Sequence, residues 1–129
     1  MARIERFEDI EAWKEAGGLS REIYRVTGQG TFTKDFGLRD QWQRASVSIM
    51  ANIAEGFDGG SNREFVKFLG YALRSTTEVQ SHLYVASDQG YIDKREFKSL
   101  YELSVKVKNI ISGFLRYLRS RSGTLTVAP

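Results

Sequence analysis

The chain has 129 residues, 41% of them hydrophobic and 27% charged, with no cysteine, one histidine and a net charge of +3. That is enough chain for one domain with a buried core, and the composition favours neither a disordered nor a membrane class. Disulfides and thiolate metal sites are excluded, no apolar run approaches the roughly 20 residues of a spanning helix, and the N-terminal MARIERFEDIEAW has no apolar signal core.

The first helical pattern covers about residues 9–27. Ala12, Ala16, Leu19, Ile23 and Val26 are spaced by four and three, and Trp13 and Tyr24 widen the stripe. Residues 28–34, GQGTFTK, read as a connection. The second helix is predicted over about 35–57, with Leu38, Trp42, Ala45, Ile49 and Ile53 on one face. A Gly-rich break at 58–60 follows. Ser61 then stands three residues before Glu64, the spacing of a capping box. Phe65, Leu69, Ala72, Thr76, Val79, Leu83 and Ala86 continue the third stripe without a slip.

The fourth helix opens on Asp93, with Glu96 three residues on. Its stripe is Leu100, Ser104, Val107, Ile111, Phe114 and Leu118, widened by Phe97, Leu103 and Ile110. Alternating spacings of four and three are the seam of left-handed helix packing. The only proline is Pro129, so no helix interior is broken by that residue. Short links between long helices force antiparallel neighbours. The fold predicted is therefore all-α, an up-down-up-down antiparallel four-helix bundle over residues 1–121. The tail at 122–129 has no helical pattern and is expected to be mobile.

Gly17, Gly18, Gly70 and Gly113 fall inside predicted helices, where each costs about 1 kcal/mol relative to Ala. They suggest close backbone approach, against the alternative of tolerated defects. The inventory of reactive groups is thin. His82 stands alone beside the third stripe and reads as structural. Residues 58–61, DGGS, lead into a helix N-terminus but lack the spacing and lysine of a phosphate-binding loop. Glu55, Glu64 and Glu78 are the remaining carboxylates that facing helices can bring together. The bundle carboxylate metal motif of Glu-x-x-His is absent, so no catalytic, cofactor or metal site is assigned. Arg39, Arg44, Asn52, Glu55, Glu64 and Glu78 are read instead as members of interhelical polar networks, with Arg74 as a further partner.

Charge is distributed unevenly. From Leu103 onward the chain carries Lys106, Lys108, Arg116, Arg119 and Arg121 and no acid, whereas residues 1–102 carry 14 basic and 16 acidic side chains. Such a basic end suits a polyanion. It also suits the negative end of a helix dipole.

The run GLRDQWQRASVSIMANIAEG, then S-x-x-EFxxFL, then Ala72, Ser75 and Glu78 and the Gly90-Tyr91-Ile92 triplet, resembles the four-helix bundle family of 23S rRNA intervening-sequence proteins. Phe7, Trp13, Ile23 and Tyr24 fit its first helix, so the resemblance spans roughly residues 7–118. The chain has Phe32-Thr33 where that family usually has Phe-Pro, Gln43-Arg44 where it often has two arginines, and Arg74-Ser75 in place of a Gly-Ser pair. It is also similar to the accessory variability proteins of diversity-generating retroelements. The resemblance implies a ring-like homopentamer, with RNA or DNA and a reverse transcriptase as partners, and the cysteine-free sequence is compatible with a reducing cytoplasm. It supplies no established activity for the intervening-sequence branch.

The function expected is thus a non-enzymatic oligomer that binds nucleic acid nonspecifically through Lys106, Lys108, Arg116, Arg119 and Arg121. The alternative is a protein-interaction module that presents Val47, Met50, Phe57, Phe68, Tyr71 and Tyr84 to a partner.

Overall fold

The computed structural model describes residues 4–120. The expected domain boundary at residue 121 and the tail at 122–129 lie outside them. Four long helices carry the fold: α1 (Glu11–Thr27), α2 (Phe36–Asp58), α3 (Asn62–Asp88) and α4 (Lys94–Ser120). Short 3-10 turns at Phe7–Asp9 and Gly30–Lys34 precede α1 and α2. No helix among the described residues is long and apolar enough to cross a membrane.

α1 begins after Ile10 with no side-chain cap, whereas the other three helices start where the sequence supplies an acceptor. Asp35 accepts from the Leu38 N–H at 3.1 Å, Ser61 from Glu64 N–H at 3.1 Å and Asp93 from Glu96 N–H at 2.8 Å. The end of α3 requires glycine. Gly90 takes φ +74°, its N–H bonds to the Ser87 carbonyl, and the Tyr91 N–H bonds back to Ala86, both at 3.0 Å. This left-handed closure satisfies the last carbonyls of the helix.

The chain runs antiparallel at each neighbouring helix pair. Ser20 meets Ser46 while Thr27 meets Gln43 across α1–α2, and Trp42 meets Val79 while Ser48 meets Ser75 across α2–α3. Tyr84 packs on Phe97 while Thr77 meets Lys108 across α3–α4. Arg25 meets Glu96 and Glu15 meets Lys106 across α1–α4. The four contacts close a ring of helices in chain order, an up-down-up-down bundle.

Most of the predicted stripe residues form the core, but Tyr24 is 49% exposed, and on α4 Leu115 is buried where Phe114 is half-buried. Ala16, Ile23, Trp42, Ile49, Ile53, Leu69 and Ile111 are fully sequestered. One member of the core comes from a connection. Phe32, in the turn before α2, is 1% exposed and stacks between Trp42, at 5.8 Å, and Tyr91, at 4.5 Å. The 28–34 segment is therefore an aromatic plug that caps one end of the bundle.

Gly17 fulfils the expectation of close approach, since a Cβ there would stand 3.3 Å from the Met50 methyl. Gly18, Gly70 and Gly113 show no such approach within the bundle: Gly70 has nothing within 4 Å, and the others meet only arginine side-chain ends. The tightest approach is at Gly56, where a Cβ would lie 2.7 Å from Phe68 Cβ and 3.1 Å from the Phe65 ring.

Candidate nucleic-acid interface

The polar contacts of α2 with α1 and α3 are made mainly by hydroxyl and amide groups, whereas ion pairs join α1 to α4. Asn52 Nδ2 donates to the Ser48 carbonyl and hydroxyl at 2.9 and 3.0 Å, and the Ser48 hydroxyl shares a 2.9 Å hydrogen bond with Ser75. Gln43 donates to Thr27 at 2.9 Å and Gln80 to Ser104 at 3.2 Å. Of the six residues expected in interhelical polar networks, only Asn52 takes part in this system. Arg44 and Glu55 are exposed on α2, and Arg39 bonds locally to the Thr33 carbonyl at 3.0 Å and to Asp40. Glu64 receives the Ser61 cap through its backbone, and Glu78 is exposed and pairs with His82 at 3.3 Å. The correction has a plain cause: hydroxyl and amide groups bridge closely packed helices without the desolvation cost of an ion pair.

Among the described residues no three His, Cys, Asp or Glu side chains come together in a way that could hold a metal ion. A groove of about 650 Å³ runs between the N-terminal segment, α1 and α4. Its floor is apolar, formed by Ile10, Ala12, Ile110 and Phe114, with Asp9 and Glu11 on its rim. It contains no paired acid and base.

The five basic residues expected to act together are divided by the structure. Lys106 turns toward α1 and pairs with Glu15 at 3.4 Å. Lys108 turns the other way, toward α3, where its Nζ donates to Thr77 at 2.9 Å and Gln80 at 3.2 Å. Arg116 and Arg119 are exposed, and Arg121 lies outside the described residues.

What replaces the single-helix patch is a face shared by α3 and α4. Positions seven residues apart return to nearly the same side of a helix. On α3 the line beside α4 is Arg63, Gly70, Thr77 and Tyr84, and the next line outward is Lys67, Arg74, Ser81 and Asp88. On α4 the matching lines are Lys98, Val105, Ser112 and Arg119, then Arg95, Glu102, Asn109 and Arg116, with Lys108 at the seam. The face holds eight basic and two acidic side chains, a local charge of +6 on a chain whose net charge is +3.

Seven of those eight cations are exposed, and Lys108 is half-buried. None is in an ion pair among the described residues, in contrast to Arg25, which binds Glu22 at 2.9 Å and Glu96 at 2.8 Å. The hydrogen bonds to Glu96 and then Glu22 raise the Arg25 pKa further above its ordinary value. Helix-dipole compensation accounts for Arg119, in the last turn of α4. It does not account for Arg63 or Arg95, which sit in the first turns of α3 and α4 against the positive dipole end.

Sequence reasoning missed the α3 half of this face. The signal was present: Arg63, Lys67 and Arg74 fall on two adjacent seven-residue lines once α3 is set antiparallel to α4.

Fold and surface together define a closed four-helix bundle with a strongly basic face. The sequence model of the 23S rRNA-intervening sequence protein family matches residues 8–113, and the chain belongs to that family. Its fold is similar to a crystal structure from Bacteroides thetaiotaomicron described as a protein with unknown function from the S23 ribosomal protein family. That likeness has a TM-score of 0.74 at 21% identity and covers 81% of this chain and 95% of the other. No functionally curated protein matches the chain.

Proposed function

We propose that this protein is a non-enzymatic, oligomeric nucleic-acid-binding bundle that engages phosphates through the α3–α4 face. The observation that carries this reading is the set of exposed cations free of ion pairs on that face. Such a surface attracts a polyanion by releasing its condensed counterions, and it reads little base sequence. The +6 local charge supports RNA or DNA equally, so the polymer is set by availability in the cytoplasm.

Assembly is the second part of the proposal. Val47, on α2, is 44% exposed, and Tyr71, on α3 with the Arg74 guanidinium 6.0 Å over its ring, is 37% exposed. Ala51 and Ala54 continue the Val47 surface with short side chains. An interface on α2 around Val47 leaves the basic face open on every subunit, and a ring such as a pentamer repeats it with avidity. Three other interface candidates have inward partners: Met50 lies against Gly17, Phe57 against Phe65 and Phe68 against Gly56, while Tyr84 is exposed beside α4.

The apolar α2 surface also favours the second reading, a module that docks on a protein such as a reverse transcriptase. Affinity for RNA and DNA measured across a salt series separates the two. A steep loss of affinity with salt supports phosphate binding, and no binding at low salt leaves the protein-docking reading.

A further inference from the structure

The basic face ends in an aromatic cluster whose most exposed member faces solvent. Tyr84, on the α3 line beside α4, is 54% exposed. Its ring stands edge-on to Phe97 at 5.0 Å and to Tyr101 at 5.9 Å, and Phe97 and Tyr101 stack on each other at 5.7 Å. The two α4 rings are half-buried and hold the tyrosine from behind. Lys98 is one turn from Tyr101 on the same side of α4, and Lys108 lies two turns further along the seam.

We infer that the α3–α4 face binds single-stranded nucleic acid, with an unstacked base seated against Tyr84 and the adjoining phosphates on Lys98 and Lys108. This rests on the phosphate-binding reading above and narrows it to one class of polymer. The argument is one of chemical complementarity. Cations alone serve a duplex and a single strand alike, because both present phosphates. A large aromatic ring amid those cations serves only a strand whose bases are free to leave their own stack. Such stacking tolerates any base, in keeping with seam-flanking lines whose other uncharged polar groups are the short hydroxyls of Thr77 and Ser112. The rigid backing of Phe97 and Tyr101 limits the ordering cost of the contact. The two acids of the face, Asp88 and Glu102, sit on its outer lines and not on the lines that flank the seam.

The test is fluorescence anisotropy of the full chain with a labelled homopyrimidine single strand and a duplex of equal length, for wild type, Tyr84→Ala, Tyr84→Phe and Lys108→Ala. Tyr84→Ala is expected to weaken single-strand binding about 5- to 150-fold, the range of one lost base–aromatic stack, and to leave duplex binding nearly unchanged. Tyr84→Phe keeps the ring and the affinity, while Lys108→Ala weakens both ligands. Thermal melting of each variant confirms that the fold is retained. Equal wild-type affinity for strand and duplex, or a Tyr84→Ala variant that loses both in parallel or neither, overturns this inference and leaves phosphate binding intact. A wild-type protein that binds neither polymer overturns both.

Discussion

Lys108 Nζ donates to the Thr77 hydroxyl at 2.9 Å, which fixes a cation at the seam between α3 and α4. With Gln80 at 3.2 Å as its second acceptor, the ammonium has one of its three N–H donors left for a phosphate oxygen. A lysine held this way has already lost most of the freedom that binding would cost it. Lys108→Ala is therefore expected to reduce the salt-dependence slope of nucleic-acid binding by about 0.7–0.9, the value of one phosphate contact. Thr77→Val keeps the charge and the slope, and lowers affinity less. Titrations at several salt concentrations check both.

The α2–α3 contact at Gly56 predicts a sign difference between two Gly-to-Ala changes. At Gly56 a Cβ would lie 2.7 Å from Phe68 Cβ and 3.5 Å from the Phe65 backbone, so the helices must separate. Overpacking of this kind costs about 1–3 kcal/mol, which outweighs the gain in helix propensity. At Gly70 nothing lies within 4 Å, and alanine there is expected to stabilise by up to about 1 kcal/mol. Urea unfolding of both variants gives the two signs directly.

The polar fastening of α2 to α3 rests on hydroxyls, and its variants should separate from those of the carboxylates. Ser48→Ala removes the partner of the buried Ser75 hydroxyl and of Asn52, at a cost of about 1–3 kcal/mol. Glu55→Ala and Glu78→Ala change exposed side chains and should stay within about 0.5 kcal/mol of wild type. Equilibrium denaturation of the three measures the contrast.

Tyr91 gives the fold an alkaline limit. Its hydroxyl donates to Asp35 Oδ2 at 2.9 Å. That hydrogen bond, then partial burial and the carboxylate charge, raise its pKa above the ordinary 10.0. The bond needs the protonated phenol, and the folded pKa exceeds the unfolded one. Its contribution is therefore complete below pH about 10 and is lost as pH rises through the folded value. Tyr91→Phe should lower the melting temperature at neutral pH and flatten the alkaline decline. Melting curves taken from neutral to strongly alkaline pH show whether it does.

Helix number, order and inward faces were legible because the core stripes repeat locally, and Ser61 and Asp93 announce helix starts within three residues. The aromatic cap was not legible. Phe32, Trp42 and Tyr91 come from three segments, and nothing local in GQGTFTK distinguishes a buried phenylalanine from an exposed one. The polar network was misassigned to arginines and glutamates for a related reason. Which hydroxyls pair, as Ser48 does with Ser75, is settled only when two helices close on them. The basic character of α4 was plain in the sequence, but its partition was not: Lys106 and Lys108, two residues apart, point to opposite neighbours. The cations of α3 join them only through antiparallel packing.

The measurement that tests the basic face most directly compares RNA affinity across a salt series for wild type, a Lys108→Glu/Arg116→Glu/Arg119→Glu variant and a Lys106→Glu control. The triple reversal should abolish detectable binding at low salt, while Lys106→Glu, on the α1 side and paired with Glu15, should lower it only modestly. Unchanged binding in the triple variant, or an equal loss from Lys106→Glu alone, would contradict the assignment of the α3–α4 face.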